Sequence, residues 1–181
     1  TGLELLANRG TSTTQDFIFT AGNETVSLED VGTPMPGAPR PDAAGQSTRL
    51  NISGVTLPTT EFVDPAAAGT VNLNLGSGAD ILQLTSALTN FAGSLAIDTG
   101  DAADGDLTNF NMALTVGGTL SVVDSATVTV GAVVNSTSAA TNSVSLSGGT
   151  VNLNDQVSAA SSTVVIDATG SEDAVHERII A

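Results

Sequence analysis

The chain reads as an all-β protein, a right-handed parallel β-solenoid (β-helix) of about five coils behind an irregular N-terminal β region. Three observations carry that expectation. Residues 69–170 break into short runs in which apolar and polar side chains alternate, bounded by Gly, Asp, Asn or Ser. Phrases recur at fixed offsets. Leu88-Thr89-Asn90-Phe91 returns as Leu107-Thr108-Asn109-Phe110, 107 − 88 = 19 residues on, and Leu95-Ala96-Ile97 is answered at the same offset by Leu114-Thr115-Val116. Gly69-Thr70-Val71-Asn72-Leu73-Asn74 returns from Gly149 to Asn154, 149 − 69 = 80 residues on, close to four units of about 20. Gly118-Thr119-Leu120-Ser121-Val122 is a weaker third copy. The third observation is the palette: five Phe, no Trp, no Tyr, and an apolar remainder dominated by small or β-branched side chains that suit a narrow, stacked interior.

A coil of roughly 20 residues holds three strands of about four residues with tight turns between them. Inward Val, Leu and Ile then stack from coil to coil, and Asn, Thr and Ser line the outside. The alternative is a β-sandwich. Its strands have no reason to repeat at fixed offsets, so the solenoid is preferred. A leucine-rich repeat is disfavoured because helix-forming segments are scarce and its Leu and Asn ladder is absent.

Along the chain, residues 1–68 read as an irregular N-terminal cap or assembly region. Asp16–Thr20 and Glu24–Leu28 flank Ala21-Gly22-Asn23 and predict a hairpin. Residues 32–47 carry prolines at 34, 36, 39 and 41 and predict a loop. Arg49–Leu57 predicts a further strand. From 69 to 170 come the solenoid runs, at 71–75, 81–84, 95–97, 112–116, 120–122, 128–130, 144–146, 151–153 and 164–166. Residues 171–181 read as a tail or C-terminal cap. Thr1 stands first, so the expectation is a processed chain or a piece of a larger one.

Four Lys+Arg against 19 Asp+Glu leave a net charge of −15. A chain this acidic lacks the electrostatic footprint of a nucleic-acid binder, and anionic membrane surfaces repel it. Without Cys there is no disulfide framework, thiolate metal site or catalytic thiol. No apolar run is long enough to span a bilayer as a helix.

Two acidic stretches are candidate metal sites. Asp98-Thr99-Gly100-Asp101-Ala102-Ala103-Asp104-Gly105-Asp106 places four carboxylates in nine residues. Hard oxygen donors gathered in one loop suit Ca²⁺, so Asp98, Asp101, Asp104 and Asp106 are the candidate ligands. The spacing is not that of an EF-hand, and a solvated turn explains the same residues. Gly76-Ser77-Gly78-Ala79-Asp80 fits one calcium nonapeptide except at its first Gly, where Leu75 stands, and makes Asp80 a weaker candidate. No other cofactor is indicated. His176, the only histidine, has no second imidazole or thiolate beside it in sequence and reads as a surface residue. The lack of Trp, Tyr and Lys argues against a carbohydrate-active β-helix enzyme, which needs sugar platforms and basic groups along a groove. No catalytic residue is assigned.

The strand grammar from Gly69 to Ser171, with its doubled Leu-Thr-Asn-Phe and Gly-Thr-Val-Asn-Leu-Asn, resembles the repeat regions of large bacterial surface proteins. Filamentous-haemagglutinin-like and autotransporter-passenger-like adhesins and the long repeat proteins of planctomycetes share this style. The resemblance implies a secreted or cell-surface, non-enzymatic, adhesive or structural module. Its implied partners are other copies of itself, neighbouring domains of a larger chain, or a glycan or other cell-surface ligand. A calcium-dependent binding domain is the alternative expectation.

Overall fold

The computed structural model of the chain describes residues 6–8, 13–19, 21–30, 47–53, 60–65, 67–169 and 179–180. The N-terminal part contributes β1 (Leu6–Asn8), β2 (Thr14–Ile18), β3 (Thr25–Asp30), β4 (Ser47–Ser53) and β5 (Thr60–Val63). The first complete coil is β6 (Thr70–Asn74), β7 (Ile81–Leu84) and β8 (Leu88–Phe91). The second is β9 (Ser94–Asp98), β10 (Leu107–Phe110) and β11 (Leu114–Val116). In the third, β12 (Leu120–Val130) bends through a corner and covers two faces before β13 (Val134–Ser136). The fourth repeats that plan with β14 (Val144–Leu153) and β15 (Val157–Ala159), and β16 (Val164–Ala168) and β17 (Ile179–Ile180) start another turn.

These strands stack into three parallel faces. The first runs β2, β6, β9, front of β12, front of β14, β16. The second runs β3, β7, β10, back of β12, back of β14. The third runs β8, β11, β13, β15, β17. The solenoid is thus present, with four complete coils among the described residues where the repeat length predicted about five. The advance along the first face explains the difference. Val71 to Leu95 is 95 − 71 = 24 residues, Leu95 to Leu120 is 25, Leu120 to Val144 is 24, and only Val144 to Val164 is 20.

The repeated phrases therefore do not mark successive coils. Leu88–Phe91 lies on the third face and Leu107–Phe110 on the second. The copies 80 residues apart lie on the first and second faces. The weaker copy is the one in structural register: Leu120 stacks over Leu95, which stacks over Val71.

The core sits between the three faces. On the first, Val71, Leu95, Leu120 and Val144 form one inward row and Leu73, Ile97, Val122 and Leu146 the next, all buried. The second face continues with Leu28, Leu84, Phe110, Val130 and Leu153. Asn72, Ala96, Ser121 and Ser145 alternate outward and are half-buried. This is the two-residue period expected of a strand with one covered face.

The predicted hairpin around Gly22 is a solenoid corner instead. β2 and β3 do not pair with each other. Each continues a different face, onto β6 and β7. The antiparallel partner of β3 is β4, and β4 pairs in turn with β5. At this end Phe62 of β5 is 1% exposed and packs its ring against Phe17, with centroids 5.0 Å apart. The predicted loop at 32–47, all but its last residue, and His176 lie outside the described residues.

Candidate functional site

The corner between the first and second faces changes along the stack. It takes six residues in the first coil, 75–80, and eight in the second, 99–106. In the third and fourth it shrinks to a bend within β12 and β14, at Asp124 and Ser125 and at Gly148 and Gly149. The wide corners carry the acidic residues.

Thr25, Ile81 and Leu107 are register partners at the start of the second face. The residues just before them, Glu24, Asp80 and Asp106, therefore stack, and they are 1%, 0% and 0% exposed. Where the chain turns a corner, backbone N–H groups leave the sheet ladder and need another acceptor. The next coil supplies it. The Glu24 amide donates to Asp80 Oδ1 at 2.8 Å, and the Asp80 amide donates to Asp106 Oδ1 at 2.8 Å. Main-chain bonds run alongside, from Ile81 N–H to the Glu24 carbonyl (2.9 Å) and from Leu107 N–H to the Asp80 carbonyl (2.8 Å).

The corners nest so closely that glycine is required. A Cβ on Gly100, whose φ is +105°, would lie 1.4 Å from the Gly76 carbonyl oxygen. One on Gly78 would lie 2.1 Å from that of Gly22. Burial at this corner raises the Asp106 carboxyl above its ordinary value; the Asp80 and Asp104 carboxylates push the same way, and the amides of Asp80 and Asp101 oppose them. The second oxygens of both Asp80 and Asp106 are buried and make no hydrogen bond.

The five residues expected to hold Ca²⁺ are thus distributed among backbone tasks. Asp98, half-exposed at the end of β9, accepts from Gly100 N–H (3.0 Å) and from Asn74 Nδ2 (3.2 Å). Asp101 caps the short 3₁₀ turn Ala102–Asp104, its Oδ1 accepting from Ala103 N–H at 2.9 Å. Asp104 reaches back one coil to accept from Gly78 N–H at 3.3 Å. Asp106 and Asp80, read from sequence as separate candidates, are brought together. Among the described residues no three or more His, Asp or Glu are placed to hold a metal ion. Glu24 escaped sequence reading. Its signal was an acid directly before an alternating run, shared by Glu24-Thr25-Val26, Asp80-Ile81-Leu82 and Asp106-Leu107-Thr108.

A polar vein continues beyond the acids. Thr108 and Ser125 are both fully buried, their hydroxyls 3.1 Å apart. On the outer side of the first face a recess of about 220 Å³ is lined by Asn72, Asn74, Ala96, Asp98, Ser121 and Val123. Its rungs are tied coil to coil, Asn72 Nδ2 donating to Asp16 Oδ1 at 2.6 Å.

No protein-family model, no curated protein and no solved structure matches this chain.

Proposed function

We propose that this chain is a non-enzymatic structural or adhesive module of a secreted or cell-surface protein, stacking with copies of itself or neighbouring domains into a larger fibre or surface structure. The observation that carries the reading is how the first face ends. Among the described residues β16 pairs only with β14. Among those residues it leaves a row of backbone donors and acceptors on one side, which is the template for strand addition. The half-buried Val164 and Ile166 add apolar surface at the C-terminal end. The stacked aliphatic rows and the short inter-coil turns make a stiff spacer, and the Asn, Ser and Asp rungs of the first face offer a polar surface to a partner.

Light scattering across a wide range of protein concentration tests the reading. Growth of the particle with concentration, along one dimension, is expected. A monomer whose size never changes contradicts self-assembly.

A further inference from the structure

The two ends of the solenoid are finished differently. One inward column of the first face starts at Phe17 and runs through Leu73, Ile97, Val122 and Leu146 to Ile166. Its middle members are buried by the rungs on either side. At the C-terminal end Ile166 is only half-buried, as is Val164 beside it. At the N-terminal end the column is covered by Phe62, whose ring lies 5.0 Å from that of Phe17 and is 1% exposed. Phe62 belongs to β5, which is reached from β3 only across β4. β2 and β3 stand in one coil, one rung before β6 and β7. For Phe62 to touch Phe17, the β4–β5 pair must fold back over the end of the stack. It also occupies the edge of β3. β4 pairs there antiparallel over Thr25–Asp30, whereas the coil on the other side, through β7, pairs in parallel. An edge where a further coil would add is therefore held by a strand of the wrong direction, which is how natural sheets protect an edge.

We propose that β4 and β5 are a guard over a self-stacking surface, made of the β3 edge and the Phe17 end of the column, whose occupant on release is the C-terminal coil of a second copy. The proposal rests on the reading above that copies stack end on. Continuity of the column selects the occupant. Ile166 of one copy meeting Phe17 of the next extends the same inward row, apolar on apolar, in the parallel sense that every coil already uses. In the single copy Phe62 stands in for that Ile166. With the guard shut, the end at β16 is the one left open among the described residues. Two such ends can meet, but a third copy then has no place to add. Release of the guard therefore sets how long the stack becomes.

Small-angle scattering of the whole chain across protein concentration, at ~0.15 M salt, compares the wild type with two variants. Ser27 and Asn51 are Cα partners across β3 and β4. Such partners lie ~4.5–5.5 Å apart, within disulfide range, so Ser27→Cys with Asn51→Cys locks the guard when oxidised. The chain has no other Cys. The oxidised lock is expected to form nothing larger than a pair of copies, and the reduced form to regain wild-type growth. Phe62→Ala loosens the guard and is expected to lower the concentration for half-assembly about tenfold, with the cross-section of one solenoid kept. Oxidised lock and wild type growing to the same length overturn the guard and leave end-on stacking standing. If every form stays monomeric at every concentration, the stacking reading itself fails and the guard falls with it. If Phe62→Ala does not fold, the lock alone decides. A pair of thiols that will not close contradicts the β3–β4 register on which the guard depends.

Discussion

The two Leu-Thr-Asn-Phe segments are identical in sequence and differ in what they bury. In β8, Leu88 and Phe91 point inward while Thr89 and Asn90 are exposed. In β10, Thr108 and Phe110 are buried while Leu107 and Asn109 are half-exposed. A register irregularity accounts for the first pattern. Leu88 pairs with Leu114 and Phe91 with Val116, so four residues on β8 oppose three on β11. β10 runs in plain alternation against β7 and β12. Burial at a given position is therefore decided by the neighbouring coils. The local phrase supplies side chains that two different settings can use.

The largest expected contrast lies at the leucines. Leu88→Ala removes a buried side chain and is expected to cost about 2–5 kcal/mol, whereas Leu107→Ala, on the outward side, costs under about 1 kcal/mol. Chemical denaturation of the two variants measures this. Equal losses would mean that the copies are structurally equivalent after all. The corner glycines give the next contrast. Gly105 has φ +93°, and a Cβ there would have nothing within 4 Å, so Gly105→Ala meets only the left-handed backbone cost of ~1–2 kcal/mol. Gly100→Ala adds a collision with the Gly76 carbonyl and must prise two coils apart, so it loses more. A milder Gly100→Ala would contradict the nesting of the corners. The smallest contrast is at the threonines. Thr108→Ala removes a buried hydroxyl bonded to Ser125 and costs about 1 kcal/mol, while Thr89→Ala, at an exposed site, changes little.

Much of the fold was legible because a strand with one covered face writes its period into the sequence. Val71-Asn72-Leu73-Asn74 and Leu120-Ser121-Val122 announce their inward residues directly. The third face was harder. β13 and β15 have three residues each, with the pattern buried, half-buried, buried, too short for alternation to stand out. Repeat length misled for a different reason. Tolerance to turn length lets the coil advance vary between 20 and 26 residues, so chance phrase matches at 19 and 80 looked like a pitch. The candidate site was half legible. The acids of 98–106 were visible, but their partners are backbone amides on another coil, and no local spacing encodes which coil that is. Glu24 shows this best, since 56 residues separate it from the Asp80 that accepts its amide.

The register itself is open to direct measurement because the chain has no native cysteine. Ala96 and Ser121 are Cα partners on adjacent strands of the first face, both half-exposed. Neighbouring strands lie ~4.8 Å apart, within the ~4.4–6.8 Å that a disulfide spans. Asn90 and Asn109 hold equivalent places in the repeated phrase but lie on different faces. Under mild oxidation, Ala96→Cys with Ser121→Cys should close an intramolecular disulfide, and Asn90→Cys with Asn109→Cys should retain two free thiols. Closure of the second pair with free thiols in the first would contradict the coil register on which the whole account stands.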